Sequence, residues 1–392
     1  MKLVLFLNMG GATSFAQCEM FLKNMFNDKY ILTIQNDYLR AFVAFFITKF
    51  RRKAMWQNYQ KIGGKSPLND ITARLCDKLN KEFESTNLSK NLKENSQNLN
   101  VDCFDLTSSN LAMTGDGVNL ATRENLNINL STQKKLGENS NTNLKDNSKN
   151  LANLNTNSNE NLGKNSKNLN FHFDFINTYV PPFADSVLAK YELTKDDEIV
   201  LFPLYPHRSQ TTTISALERT KNAILKAKIS AKIKEIPIFF TNEIYNEMLI
   251  NHILSANENF KKGQKKTLIF SAHSLPVSTI KSGDIYQEHI ESHFEALKKR
   301  LNAYFDEIIL GYQSKVGPVK WLTPTTASLL AGLKNDALVY PLAFCIDCSE
   351  SVYELGIEYR KIAAKDYFVV PCPNDSTDFV GFIKAYLKDK VW

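Results

Sequence analysis

Short runs of consecutive apolar residues recur along the chain, each bounded by polar or charged positions. They are KLVLFLN (2–8), FHFDFI (171–176), EIVLFPL (198–204), EIPIFF (235–240), KTLIFSA (266–272), EIILGY (307–312), ALVYPLAF (337–344) and DYFVVP (366–371). Runs of this length with little alternation between apolar and polar positions fit strands covered on both faces, as in parallel sheets. Between them lie stretches with apolar residues three and four apart, 182–192, 243–258, 285–302, 349–364 and 375–388, which predict helices. The succession predicts an α/β fold with two Rossmann-like domains, each a roughly four-stranded parallel sheet flanked by helices. The division falls near 240: residues 1–84 with 170–240 make an N-terminal domain, and 241–392 a C-terminal domain whose last helix packs back on the first. The active-site cleft is expected between them.

The pattern breaks between about 85 and 169. There the text becomes a degenerate repeat of Asn, Ser, Lys and isolated Leu, as in KKLGENSNTNLKDNSKNLANLNTNSNENLGKNSKNLN. Too few large apolar residues are present to offset the entropy of ordering such a segment, so it reads as a low-complexity insertion. At the other extreme, MKLVLFLNMGG is short and runs into Asn8 and a Gly pair, which fits a buried first strand turning into a loop rather than a signal peptide. AFVAFFITKF (41–50) is strongly apolar but too short to cross a bilayer, and peripheral docking on a membrane surface is the expectation it leaves open.

Composition narrows the function only modestly. The 392 residues can bury real cores, and the net charge of +7 is spread along the chain without a basic block interleaved with aromatics. That excludes nucleic acid as the expected partner and suits an anionic small molecule or an acidic membrane surface. Six cysteines, at 18, 76, 103, 345, 348 and 372, lack the spacing of a disulfide scaffold, so a reducing cytoplasmic compartment is expected.

In parallel sheets ligands bind beyond the carboxyl ends of the strands. The segments there are NMGG (8–11), YQKIGGKSPL (59–68), PLYPHRSQTTT (203–213), SAHSLP (271–276), YQSKVGPVKWLTP (312–324) and PLAFCIDCSESVYELGIEY (341–359). No glycine-rich phosphate cradle follows any strand. Instead the loops offer one histidine, several Tyr and Trp, a few cations and a cluster of carboxylates, suited to a flat, apolar, acid-bearing ligand. Taken together, SAHSLP followed by GD and a Tyr, SKVGP followed by WL, and the Asp, Glu and YEL of 347–355, closing on PCPNDSTDF (371–379), resemble ferrochelatases. The matches run in family order over nearly everything except the insertion.

The resemblance implies insertion of ferrous iron into protoporphyrin IX, with porphyrin and iron as the partners and either a monomer or a homodimer as the working form. That chemistry removes two pyrrole protons, strips water from the metal and bends the macrocycle. A neutral imidazole can accept a proton near pH 7 or ligate a divalent metal. By resemblance His273 and Glu350 are the catalytic pair and meet the metal, with Glu354, Glu358 and Asp347 forming a path for protons or metal. Spacing of four places the three glutamates on one helix face, where like charges repel by about a few tenths of a kcal/mol per pair. Asp347 could equally be an N-cap. Met9, Tyr59, Tyr179, Tyr205 and Trp321 match pocket-lining positions, and Arg51 and Ser66 match positions that meet the propionates. For each aromatic taken singly, ordinary core packing explains it as well.

The sequence also departs from the pattern. Cys348 stands where a second His is usual, His207 and Arg208 replace the commoner Gln-Tyr, and Thr178 precedes Tyr179 where Arg is usual. Cys345 and Cys348 form a CxxC pair, but the C-terminal cysteines of a 2Fe–2S cluster are absent, so no cofactor is expected. Coproporphyrin III as substrate, another tetrapyrrole chelatase, and a non-catalytic haem or porphyrin carrier are the alternatives. Met9 resembles the protoporphyrin-using branch, where the coproporphyrin-using branch tends to carry Tyr.

Overall fold

The run 2–8 forms β1 (Lys2–Asn8), in which every residue after Lys2 is buried. It pairs in parallel with β2 (Phe171–Asn177) on one side and β3 (Glu198–Pro203) on the other, and β4 (Lys232–Glu235) extends β3. A second sheet repeats the arrangement with β5 (Lys266–His273), β6 (Glu307–Gln313), β7 (Asp336–Pro341) and β8 (Tyr367–Val369). The orders are β2-β1-β3-β4 and β6-β5-β7-β8, all parallel, so the two sheets share one topology. The computed structural model describes residues 1–98, 171–261 and 263–391. Met1–Thr86 with Asn170–Trp392, which contain both sheets, form one compact unit.

Both faces of β1 are covered, which is why its sequence carries no polar alternation. Leu3, Leu5 and Leu7 pack with Ile199 and Leu201 against Val187 and Leu188 of the helix Ala184–Leu188 and Leu217 and Ile224 of the helix Ser215–Lys226. On the opposite face Phe6 meets Phe173 and Phe202, and Phe202 meets Tyr386 of the last helix, Thr377–Val391. That helix is anchored further by the Tyr386 hydroxyl donating to the Ile238 carbonyl at 3.1 Å and by Phe239 against Phe382. Each such side chain, taken out of water, contributes about 1.5–3 kcal/mol.

Three expectations are corrected. The strand predicted at 235–240 lies earlier, at Lys232–Glu235, because Pro237 has no N–H to give a ladder; Phe239 and Phe240 instead donate to the Pro206 carbonyl. The run 337–344 stops as a strand at Pro341, and the segment 349–364 is not α-helical. The helix Leu68–Asn98 runs across position 85, where the low-complexity insertion is expected to begin. Beyond Asn98 the expected insertion lies outside the described residues.

Two glycines shape the loop after β1. Gly10 has φ of +92°, and a Cβ on Gly11 would stand 2.4 Å from both Cβ and Oγ of Ser66. Gly11→Ala is therefore expected to destabilise the fold by about 1–3 kcal/mol, from overpacking against a buried neighbour. Thermal unfolding of the variant checks this, and an unchanged midpoint would mean that the Ser66 turn yields freely.

Candidate functional site

His273 is the last residue of β5 and is partly buried. Its backbone is fixed from two directions. It lies opposite Gln313 in the β5–β6 ladder, and its carbonyl accepts a hydrogen bond from the Tyr286 hydroxyl at 2.9 Å. The GD-Tyr segment after SAHSLP thereby acquires a purpose. Tyr286 holds the histidine's carbonyl, and Asp284 accepts from Ser209 Oγ and the Gln210 N–H, both at 2.8 Å, tying this loop to the one after β3. The imidazole makes no hydrogen bond to another described residue, and Phe344 stands edge-on to it at 6.3 Å between centroids.

Glu350 opens a π-helical segment, Glu350–Glu358, followed by a short 3-10 turn, Tyr359–Lys361. This widened helix, rare at such length and frequent at functional sites, replaces the α-helix expected there. No direct hydrogen bond joins Glu350 to His273. They are connected through Gln313, whose amide donates to the Glu350 carbonyl at 3.1 Å while its own β-partner is His273. One Glu350 oxygen accepts from Ser349 Oγ at 2.7 Å. Tyr59, 3% exposed, sits beside Ser349 and Glu350; burial first, and the Glu350 charge second, raise its phenol well above the ordinary range. Tyr59 and Tyr205 thus bring the first sheet's loops to the segment that carries Glu350.

The other three carboxylates diverge. Glu354 is clamped, accepting from Gln313 Nε2 at 3.1 Å, the Ser314 N–H at 2.8 Å, the Ser314 hydroxyl, and the Tyr359 hydroxyl at 2.6 Å. Glu358 is exposed. Asp347 does not cap the helix; it accepts from Asn374 Nδ2 at 2.7 Å, Ser351 Oγ at 2.8 Å and the Cys372 N–H at 3.3 Å, joining two loops.

Of the pocket-lining expectations, Met9 is partly buried and accepts at its carbonyl from the Tyr179 N–H at 3.0 Å. Tyr179 itself is fully buried, its hydroxyl 3.0 Å from Asp28, so its ring contributes to the core beneath the loop. Tyr205 has a buried hydroxyl without a hydrogen-bond partner among the described residues. Trp321 donates to the Val316 carbonyl at 3.1 Å and bridges Pro276, which fastens the SKVGPVKWL loop to SAHSLP. Arg51 is half-buried without a carboxylate partner among the described residues; it lies over the Phe26 ring at 5.9 Å, and burial lowers its pKa. Ser66 is buried in the turn against Gly11 and donates its N–H to the Ala12 carbonyl.

Cys348 is buried beside Glu350 and near Tyr205. Burial, reinforced by the Glu350 charge, pushes its thiol well above the usual range, so at neutral pH it stands as a thiol where an imidazole was expected by resemblance. Among the described residues no group of three His, Cys, Asp or Glu side chains is placed to hold a metal. A cavity of about 350 Å³ lies by Asp336, Arg360 and Tyr367, at the amino ends of β7 and β8, and none of the candidate site residues above lines it.

Gln313 was not singled out by sequence. Its signal was its position at the end of β6, immediately before Ser314-Lys315, where a polar residue that is 1% exposed must be fully bonded. His207 and His293 were likewise missed as a pair. His207 Nε2 and His293 Nδ1 are 2.9 Å apart, and His293 Nε2 is 2.8 Å from Asn246 Oδ1.

A model of the ferrochelatase family matches residues 2–97 and 128–391 of the chain. The chain is 46% identical over 389 residues to the ferrochelatase of Campylobacter jejuni (strain RM1221), covering 99% of each. It is 40% identical to that of Campylobacter concisus (strain 13826), covering 97% of this chain and 96% of the relative. With the ferrochelatase of Helicobacter acinonychis (strain Sheeba) it shares 33%, over 98% and 91% respectively.

Proposed function

The chain belongs to the ferrochelatase family and inserts iron into a porphyrin; from that premise we propose that its porphyrin is protoporphyrin IX and its product protohaem, the terminal step of haem formation. The observation that carries this reading is that the cations near the site without a carboxylate partner among the described residues, Lys61 and Lys315 with them, are mostly exposed rather than buried. Arg51 is half-buried and has no carboxylate partner among the described residues, and position 178, next to Tyr179, is a threonine whose hydroxyl donates to the Asn8 carbonyl at 3.0 Å. Protoporphyrin brings two propionates and two vinyl groups, whereas coproporphyrin brings four propionates. Each further carboxylate buried without a cation is costly. Met9, rather than a tyrosine, completes an apolar wall for the vinyl edge.

His273 and Glu350 work as a pair on the macrocycle in this reading. The imidazole, free of other hydrogen bonds, accepts pyrrole protons, and the Glu350 carboxylate guides metal and carries protons away. Gln313 keeps the two in register. Cys348, a neutral thiol beside Glu350, adds no charge there. The five described cysteines are all buried and unpaired, which supports work in a reducing compartment.

The test is an anaerobic ferrous-iron insertion assay with protoporphyrin and coproporphyrin in parallel. Protoporphyrin is expected to be metallated with a kcat/KM at least roughly tenfold higher, the scale that unpaired polar groups impose on selectivity. Faster turnover of coproporphyrin would overturn the substrate assignment and leave the family reaction intact.

A further inference from the structure

A crevice of about 220 Å³ lies beyond the carboxyl ends of β1 and β2, between the turn that leads into the helix Ala184–Leu188 and the helix Ser215–Lys226. That end of a parallel sheet is where ligands bind. Its floor is apolar: Leu7, Ile176 and Ala216 line it and are each 3% exposed or less. Polar groups stand on the walls. Arg219 comes from one helix; its Nε donates to Asp28 Oδ2 at 3.1 Å and its guanidinium lies over the Tyr179 ring at 5.7 Å. One edge of the fork is thereby anchored, and its two Nη groups have no partner among the described residues. Asp185 comes from the other helix, and its carboxylate has neither a hydrogen bond nor an ion pair among the described residues. The two charges line the same crevice without pairing with each other. Thr220, 2% exposed, makes no hydrogen bond through its hydroxyl among the described residues. Asn177 directs Nδ2 to Asn69 Oδ1 and to the Pro181 carbonyl, both at 3.0 Å, and its Oδ1 is left buried without a partner. Buried acceptors are ordinarily satisfied, so this one calls for a donor.

Size and charge select the ligand. The crevice is smaller than the roughly 300–1,000 Å³ of drug-sized sites, which excludes a porphyrin or a nucleotide. A bare anion would satisfy Arg219 but set a second negative charge against Asp185, and a bare cation would do the reverse. A molecule with both a carboxylate and an ammonium group satisfies both walls, the guanidinium fork meeting the carboxylate and the ammonium donating to Asp185. We propose that the crevice is a binding site for a small zwitterionic amino acid. Such a ligand bears on the porphyrin wall. Thr178, which lines the crevice, gives its N–H (2.9 Å) and its hydroxyl (3.0 Å) to the Asn8 carbonyl, and the Tyr179 N–H holds the Met9 carbonyl at 3.0 Å. A bound amino acid fastens that turn, and with it Met9, so it tightens porphyrin binding, and porphyrin tightens amino-acid binding by the same factor. This consequence rests on the placing of Met9 against porphyrin in the reading above; the site itself does not.

The experiment is titration calorimetry of the full chain with glycine, β-alanine and 4-aminobutyrate, and with propionate and propylamine as single-charge controls. At least one amino acid is expected to bind about tenfold or more tightly than either control, the scale of a charge-assisted hydrogen bond. Arg219→Gln is expected to weaken it by about tenfold or more, and Asp185→Asn, at an exposed position, by roughly twofold to fivefold. Ala223→Leu fills the crevice from the helix Ser215–Lys226 and leaves Arg219 itself unchanged; it is expected to abolish binding while keeping the parent's melting temperature and metal insertion. With saturating amino acid, the porphyrin Kd is expected to fall about fivefold in the parent and to stay constant in Ala223→Leu. Failure of all three amino acids to bind, propionate binding as tightly as any of them, or binding unchanged in Ala223→Leu would each overturn the site. An unchanged porphyrin Kd in the parent would overturn the coupling. Absence of metal insertion by the parent would sink the porphyrin reading and leave the calorimetry standing.

Discussion

Glu350→Ala is expected to reduce metal insertion by about a hundredfold to ten-thousandfold, the range for losing a positioned acid–base group, and His273→Ala to do the same. Porphyrin affinity, read from the change in porphyrin fluorescence on binding, should stay within about threefold of the parent, because the ring is gripped mainly by other groups. The double variant should lose little more than either single one, since residues acting as a unit are not additive. Glu354→Gln offers the contrast. Glu354 is fixed by four donors from Gln313, Ser314 and Tyr359, so its removal disturbs the frame around Gln313 rather than the proton-accepting group. Near-normal turnover in His273→Ala or Glu350→Ala would remove that residue from the catalytic pair.

A second large effect concerns acid stability. Asn246 Nδ2 donates to the Phe240 carbonyl at 3.0 Å, which turns its Oδ1 toward His293 Nε2. His293 must then carry its proton on Nε2 and accept on Nδ1 from His207 Nε2, which leaves His207 Nδ1 bare, buried and without a partner. A second proton on His293 would break this chain, and one on His207 Nδ1 would leave a buried charge without a partner. Burial lowers both pKa values, that of His293 to about 3 and that of His207 well below its usual range, the latter helped by the neighbouring His293 and His289. An unfolded histidine titrates near 6.5. Below that pH the unfolded chain binds protons that the folded chain refuses, so stability present above about pH 6.5 is lost as pH falls toward about 3. The slope approaches about 1.4 kcal/mol per pH unit for each histidine. Denaturant unfolding at pH 7.5 and 5.0 should show it, and His207→Gln should flatten the dependence relative to the parent. An identical pH dependence in the variant would show that the pair does not control it.

Much of the architecture was legible because buried parallel strands announce themselves. β1, β5 and β6 lie within a residue or two of their apolar runs, since both faces of each are covered and no polar position interrupts the reading. The errors have specific causes. Pro237 sits in an apolar run that looks like a strand but lacks the donor to continue one, and apolar spacing alone does not separate α from π winding at Glu350–Glu358. The position of a candidate residue was legible where a motif ended a strand, as at His273, and illegible where a residue acts through a distant partner. Gln313 depends on a carbonyl at Glu350, thirty-seven residues on, and the His207–His293 contact spans 86 positions. Tyr179 shows the same limit: its backbone bond to the Met9 carbonyl and its burial against Asp28 both join segments distant in the sequence.

The repeated strand order carries an evolutionary consequence. Each sheet presents an equivalent loop at an inner strand, Met9 after β1 and His273 at the end of β5, and in the proposed reading only the second delivers the proton-accepting group. On that reading the proton-accepting group belongs to the second wall alone, while Met9, Tyr59 and Tyr205 grip from the first. Substitutions in the first wall, such as Thr178 beside Tyr179, can retune which tetrapyrrole is accepted while the reaction on the second wall persists, so ligand preference and reactivity can drift as independent traits.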